Sequence, residues 1–269
     1  MNRLLKSEFL FQLFALLLAL IVVHTLYVGL IRPNAAAENK AIQEAVAAGD
    51  FSMTEQSAYV VLKDYEQETC LILMLWCIAI MAFKGVAIVR ERQLLEMKLI
   101  TVPAGTSILP EDARDYLRPI EALPSEQRYS LLPRALQIGL QRFMATNSIQ
   151  DVAAAIRETC DAEGERLDSE LSMVRYISWA IPSIGFIGTV RGIGLALSQA
   201  HQAVEGDIAG VTSSLGVAFN STFVALIISI LLMFLMHQLQ LQQERLVMDT
   251  QSYCDRRLLG HLRISRGES

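Results

Sequence analysis

At 269 residues, 52% hydrophobic and only 19% charged, with a mean hydropathy of +0.36, the chain is more apolar than an ordinary globular domain. Its formal net charge is −5, and no basic stripe with interleaved aromatics occurs, which argues against a nucleic-acid surface. The four cysteines form no CxxC pair and read as soft apolar packing rather than as ligands or redox groups.

The first apolar run, Phe9 to Ile31, exceeds a signal-peptide core of about 7–15 residues and is expected to be a retained membrane span. The segment that follows is acid-rich and predicts two helices. One runs from Ala35 to Ala48, capped by Asn34 and stopped at Gly49-Asp50; another starts at Thr54. From Thr54 no breaker except Gly85 intervenes before about Ile100, so one long helix is expected to carry the second span, Cys70 to Val89. Crossing hydrocarbon takes roughly 20 apolar residues, which both runs supply.

Between Thr101 and Pro133 stand Pro103, Gly105, Pro110, Pro119, Pro124 and Pro133, a density that allows only short helices and turns. Leu136, Leu140, Phe143 and Met144 then recur at helical spacing. A further helix, starting at Ser148 with Asp151 in its first turn, is expected to run directly into the third span, Met173 to Ala200. The fourth, Ala209 to Met236, continues through Leu239, Leu246, Cys254 and Leu258, apolar positions among polar ones.

An all-α protein with four transmembrane helices and long helical extensions follows. Its expected divisions are an N-terminal span (1–31), an outer helical segment (32–69), the second span with its extension (70–100), a helical domain (101–172), a two-span domain (173–237) and a C-terminal helix (238–269). Arg3 and Lys6 precede span one, and Lys84, Arg90, Arg92 and Lys98 lie at or beyond the inner end of span two. The segment between spans three and four, His201 to Ile208, has no Lys or Arg. The basic-residue bias therefore places both termini in the cytoplasm.

Spans three and four carry stripes of small and hydroxyl residues. Pro182, Gly185, Thr189, Gly192 and Ala196 share one helix face, and Ser214, Ala218, Thr222, Ala225 and Ser229 share another. Such faces meet another helix closely or line a polar passage. Neither span contains Asp or Glu. If ions cross here, the titrating carboxylate comes from another chain and Thr189 and Thr222 supply hydroxyls; alternatively both threonines satisfy helix carbonyls or join neighbouring helices. Pro182 frees a backbone carbonyl and is expected to kink its helix, and Gly188 with Gly192 forms a GxxxG pair. Arg191 points about half a turn away from the small face and lies roughly 13 Å from the outer end, deep for snorkelling. It is expected to meet polar groups at a subunit boundary. His24 and His237 lack a second ligand at metal spacing and read as interface residues. No nucleophile–base pair, phosphate loop or metal motif supports enzymatic chemistry.

Residues 178–194, SWAIPSIGFIGTVRGIG, followed by 215–229, LGVAFNSTFVALIIS, resemble the two channel motifs of the MotA/TolQ/ExbB proton-channel family. The proline, the glycines and both threonines fall in the family's order. Val217 stands where ExbB-like proteins carry an acid. The four-span plan is similar to that of flagellar stator subunits rather than to three-span TolQ and ExbB. The resemblance implies an inner-membrane homopentamer around a dimer of a single-span partner of the MotB/TolR/ExbD kind, whose membrane aspartate carries the proton. It further implies that Thr189, Thr222, Ser214 and Ser221 line the ion pathway, that Pro182, Gly185, Gly188 and Gly192 shape it, and that no cofactor is needed. Spans three and four would surround the passage while spans one and two face lipid. Hydroxyl-lined sites suit Na+ as well as H+. A non-conducting membrane scaffold, assembled through the same small-residue faces, is the rival reading.

Overall fold

The computed structural model describes residues 2–47, 57–103, 105–206 and 208–264. In chain order these form α1 (Asn2–Leu26), a π-helical turn (Tyr27–Ile31), α2 (Arg32–Ala47), α3 (Ala58–Leu62), α4 (Tyr65–Glu96), α5 (Ala113–Glu121) and α6 (Ser125–Arg128). There follow α7 (Leu131–Thr146), α8 (Ile149–Glu170), α9 (Ser172–Ser198), α10 (Ala200–Val204), α11 (Ala209–Arg257) and a 3-10 turn (Leu259–His261). Among the described residues the protein is all-α, and four stretches are long and apolar enough to cross a membrane, Glu8–Ile42, Tyr65–Glu96, Ile149–Ser198 and Ala209–His261.

Two boundaries in the first half of the chain differ from expectation. Helical backbone does not stop at the Arg32-Pro33-Asn34 step but runs from α1 through the π turn into α2. Pro33 has no N–H to return to the preceding turn, and the backbone adjusts just before it, the Arg32 N–H bonding the Tyr27 carbonyl five residues back. Asn34 therefore caps nothing; its side-chain amide donates to the Leu30 carbonyl at 2.9 Å. The expected stop at Gly49-Asp50 and start at Thr54 lie outside the described residues.

The second difference is a break at Lys63 and Asp64, which separates α3 from α4 where one helix was expected. The Gln67 side chain donates to the Val61 carbonyl at 3.0 Å, replacing a backbone donor there. The Asp64 carbonyl accepts the first bond of α4, from the Glu68 N–H at 3.2 Å.

The chain forms two compact units. The first comprises residues 1–82 and 173–236. In it Val23, Tyr27 and Ile31 pack on Leu62, Leu71 and Ile72. The Trp76 indole N–H donates to the Gln12 carbonyl at 2.9 Å, tying α4 to α1. Phe9, Phe14, Leu18 and Ile21 of α1 are exposed.

The second unit comprises residues 83–172 and 237–269. Its core includes Ile108, Leu117, Ile120, Leu136, Leu140, Phe143, Ile156, Cys160, Cys254 and Leu258, so the helical apolar spacings read before and after the proline-rich stretch converge here. That stretch resolves into α5, α6 and turns. The Ile108 N–H bonds the His261 carbonyl at 2.8 Å and the Arg263 N–H bonds the Ile108 carbonyl at 3.0 Å, pinning the stretch to the chain's end. Asn147 takes a left-handed conformation (φ 52°) to end α7, and the Ser148 hydroxyl caps α8 by accepting the Asp151 N–H at 3.3 Å. Leu171 is a one-residue turn between α8 and α9, so α8 does not run on without interruption. Charges are paired in a row: Lys84 with Glu170 at 2.9 Å, Glu170 with Arg166 at 2.5 Å, Arg166 with Glu163 at 2.5 Å and Glu163 with Arg134 at 2.6 Å.

Candidate functional site

The small-residue stripes of α9 and α11 meet each other within one chain. A Cβ placed on Gly192 would lie 2.6 Å from the Ala218 nitrogen, one on Gly185 2.6 Å from the Ala225 Cβ, and one on Gly188 would fall on the Ser221 side chain. Partner numbers fall along α11 as they rise along α9, so the helices are antiparallel. Only glycine fits at these three positions, because any side chain would push the backbones apart.

At this contact Thr189 and Thr222 face one another, their hydroxyl oxygens within hydrogen-bonding distance. Thr189 Oγ1 also lies 3.1 Å from the Ala218 carbonyl oxygen and 3.3 Å from that of Gly185, and Thr222 Oγ1 lies 3.1 Å from the same Gly185 oxygen. Two hydroxyl protons thus serve four oxygens. The two carbonyls already sit in helices and accept helix N–H groups, so releasing a hydroxyl toward a new acceptor leaves no carbonyl bare. Both threonines are half-buried.

The other expected pathway hydroxyls are placed differently. Ser221 is buried, donates to the Val217 carbonyl at 2.7 Å and is pressed against Gly188. Ser214 donates to Gln199 Oε1 at 3.2 Å, near the start of α11. Pro182 leaves the Ser178 carbonyl without a helical donor, and the Ser229 hydroxyl supplies one at 3.1 Å. With that bond made, α9 continues through Pro182 to Ser198.

Arg191 finds its partners within its own chain: the guanidinium grips Glu66 with two bonds of 2.7 Å and reaches Asp64 at 3.7 Å. Burial pushes the Asp64 carboxyl above the usual carboxylate range, against the opposing pull of Lys63 and Arg191. Two residues on, Glu68 is 8% exposed and sits between Arg32 and the His24 imidazole, the latter at 2.7 Å. His24 thereby has a hydrogen-bond partner within the chain. Residue-by-residue reading missed these carboxylates. The available signal was the run Asp64, Glu66, Glu68, three acids about one helical turn long at the start of α4.

These features define a polytopic helical membrane protein in which two carboxylate-free spans clasp a pair of hydroxyls. The model of the MotA/TolQ/ExbB proton channel family matches residues 127–252, which include Pro182, the three packing glycines and both threonines. The matched stretch, somewhat under half of the chain, is similar to this proton channel family. No curated protein matches the chain, and no solved structure does.

Proposed function

We propose that the chain is the multi-pass subunit of a proton-driven, rotary or energy-transducing channel of the bacterial inner membrane. In this reading five copies surround a dimer of a single-span partner, with α9 and α11 toward the axis, α1 and α4 toward lipid, and both termini in the cytoplasm. The observation that carries the reading is the Thr189–Thr222 pair on two spans without Asp or Glu. A carboxylate in hydrocarbon is costly unless it is neutral or hydrogen-bonded. Two hydroxyls that can turn from carbonyls to an incoming acceptor would solvate its charged form between protonation events. The membrane aspartate of the partner supplies that group.

The scaffold reading draws on a different observation, that both hydroxyls are already satisfied within one protomer and the small faces are already packed. Co-expression with a neighbouring single-span protein, followed by cryo-EM of the purified complex, separates the two. A pentamer with the partner's aspartate at the level of Thr189 is expected. A complex without a central partner, or with the threonine level turned to lipid, would count for the scaffold.

A further inference from the structure

Glu66 does two things at once. Its carboxylate holds Arg191 through two 2.7 Å bonds, while its Cγ lies 3.2 Å from where a Cβ on Gly188 would stand. Gly188 is thus enclosed between α4 and α11, with the Glu66 stem on one side and Ser221 on the other. Thr189 follows Gly188 and Thr222 follows Ser221, so each threonine is one residue from this three-helix contact. Glu66 is 11% exposed and Arg191 39% exposed by side chain, so the pair is partly withdrawn from solvent, where a forked pair holds its geometry more firmly than an exposed one.

The geometry points to Glu66 and Arg191 as positioning residues that set the rotation and height of α9, and thereby the alignment of Thr189 with Thr222. This rests on the proposed role of the threonine pair as the ion-pathway site. Neither charged residue exchanges the ion; the fork fixes the helix that carries the hydroxyl.

Disulfide trapping reads the alignment without requiring ion flow. Thr189→Cys with Thr222→Cys reports the site, and Ser178→Cys with Ser229→Cys reports the far part of the same helix pair. Both are oxidised in native membranes with copper–phenanthroline, and the linked peptides are measured by mass spectrometry. Adding Glu66→Gln is expected to slow trapping at 189/222 by about threefold or more while leaving 178/229 nearly unchanged, because the forked charge pair acts locally. The exchange Glu66→Arg with Arg191→Glu is expected to restore much of the rate. Equal slowing at both positions would mean general loosening and would overturn the inference, as would no slowing at either. If Glu66→Gln does not accumulate, Arg191→Lys serves: it keeps the charge but loses the fork, and an unchanged 189/222 rate there would also overturn it. Proton uptake by liposomes holding the chain and its single-span partner is measured separately. Local slowing with no uptake by the unmodified pair would sustain the positioning role and sink the channel reading.

Discussion

Ser229 of α11 donates its hydroxyl to the carbonyl of Ser178 on α9, at 3.1 Å, and that carbonyl is the one Pro182 deprives of its helical N–H. A proline in one span and a serine in the next are therefore a single device. It keeps α9 continuous where an unpaired carbonyl would face hydrocarbon. Ser229→Ala is expected to destabilise the protein by about 1–3 kcal/mol, the cost of a buried acceptor left unmade. In a Pro182→Ala background the restored N–H should reduce that loss to near zero. Thermal unfolding of the four proteins in detergent measures the coupling; additive losses would show that the two residues act independently.

Gly192 and Gly194 form an internal comparison on α9. A Cβ at Gly192 would stand 2.6 Å from the Ala218 nitrogen, whereas Gly194 has nothing within 4 Å. Gly192→Ala should destabilise by about 1–3 kcal/mol through overpacking. Gly194→Ala should be neutral or stabilise by about 0.5–1 kcal/mol through lower backbone entropy in the unfolded chain. Equal effects on the melting temperature would contradict the packing assigned to α9 and α11.

In the second unit, Glu163 is 4% exposed by side chain between Arg134 and Arg166, whereas Lys84, 5% exposed, pairs with a Glu170 that also holds Arg166. Removing a buried charge partner typically costs about 3–5 kcal/mol. Arg134 and Arg166 are 37% and 54% exposed and can rehydrate, so Glu163→Gln should cost nearer 1–3 kcal/mol, a discount set by solvent screening. Lys84→Met should cost less, because Glu170 keeps Arg166 and the methionine fills the buried space. Denaturant or thermal midpoints give the order, and a larger loss for Lys84→Met would overturn it.

What the sequence made legible was what repeats along one helix. The apolar lengths mark all four membrane-crossing helices, and three- and four-residue spacing identifies the faces of α9 and α11 that meet. The spacing of Leu136, Leu140 and Phe143 likewise marks a core face. Less legible were features set by contacts distant in sequence. Arg191 and Glu66 are 125 residues apart, and no local pattern links them. The α3–α4 break turns on the Gln67 side chain bonding a carbonyl, and glutamine is otherwise a good helix former. The helical path through Pro33 depends on a π turn, while a proline read alone suggests a boundary. Local rules anticipated which residues face inward; they did not anticipate which charge meets which.

Topology is open to a labelling test. The proposed orientation predicts that Lys40→Cys reacts with an impermeant maleimide in intact cells and that Ser269→Cys, outside the described residues, reacts only after permeabilisation. The native cysteines are all buried, so background labelling should be low. Reaction at position 269 in intact cells would reverse the assigned orientation.

The central claim is that the hydroxyls of Thr189 and Thr222 serve ion transfer and do more than join two helices. Proton uptake into proteoliposomes holding the chain and its single-span partner tests it most directly, using the Thr189→Val, Thr222→Val double variant alongside the two Ser replacements. Valine keeps the volume but leaves a polar partner unmatched by about 1–3 kcal/mol, so uptake should fall roughly tenfold or more, one decade per 1.4 kcal/mol; serine should retain most of it. Normal uptake by an assembled valine double variant would contradict the claim.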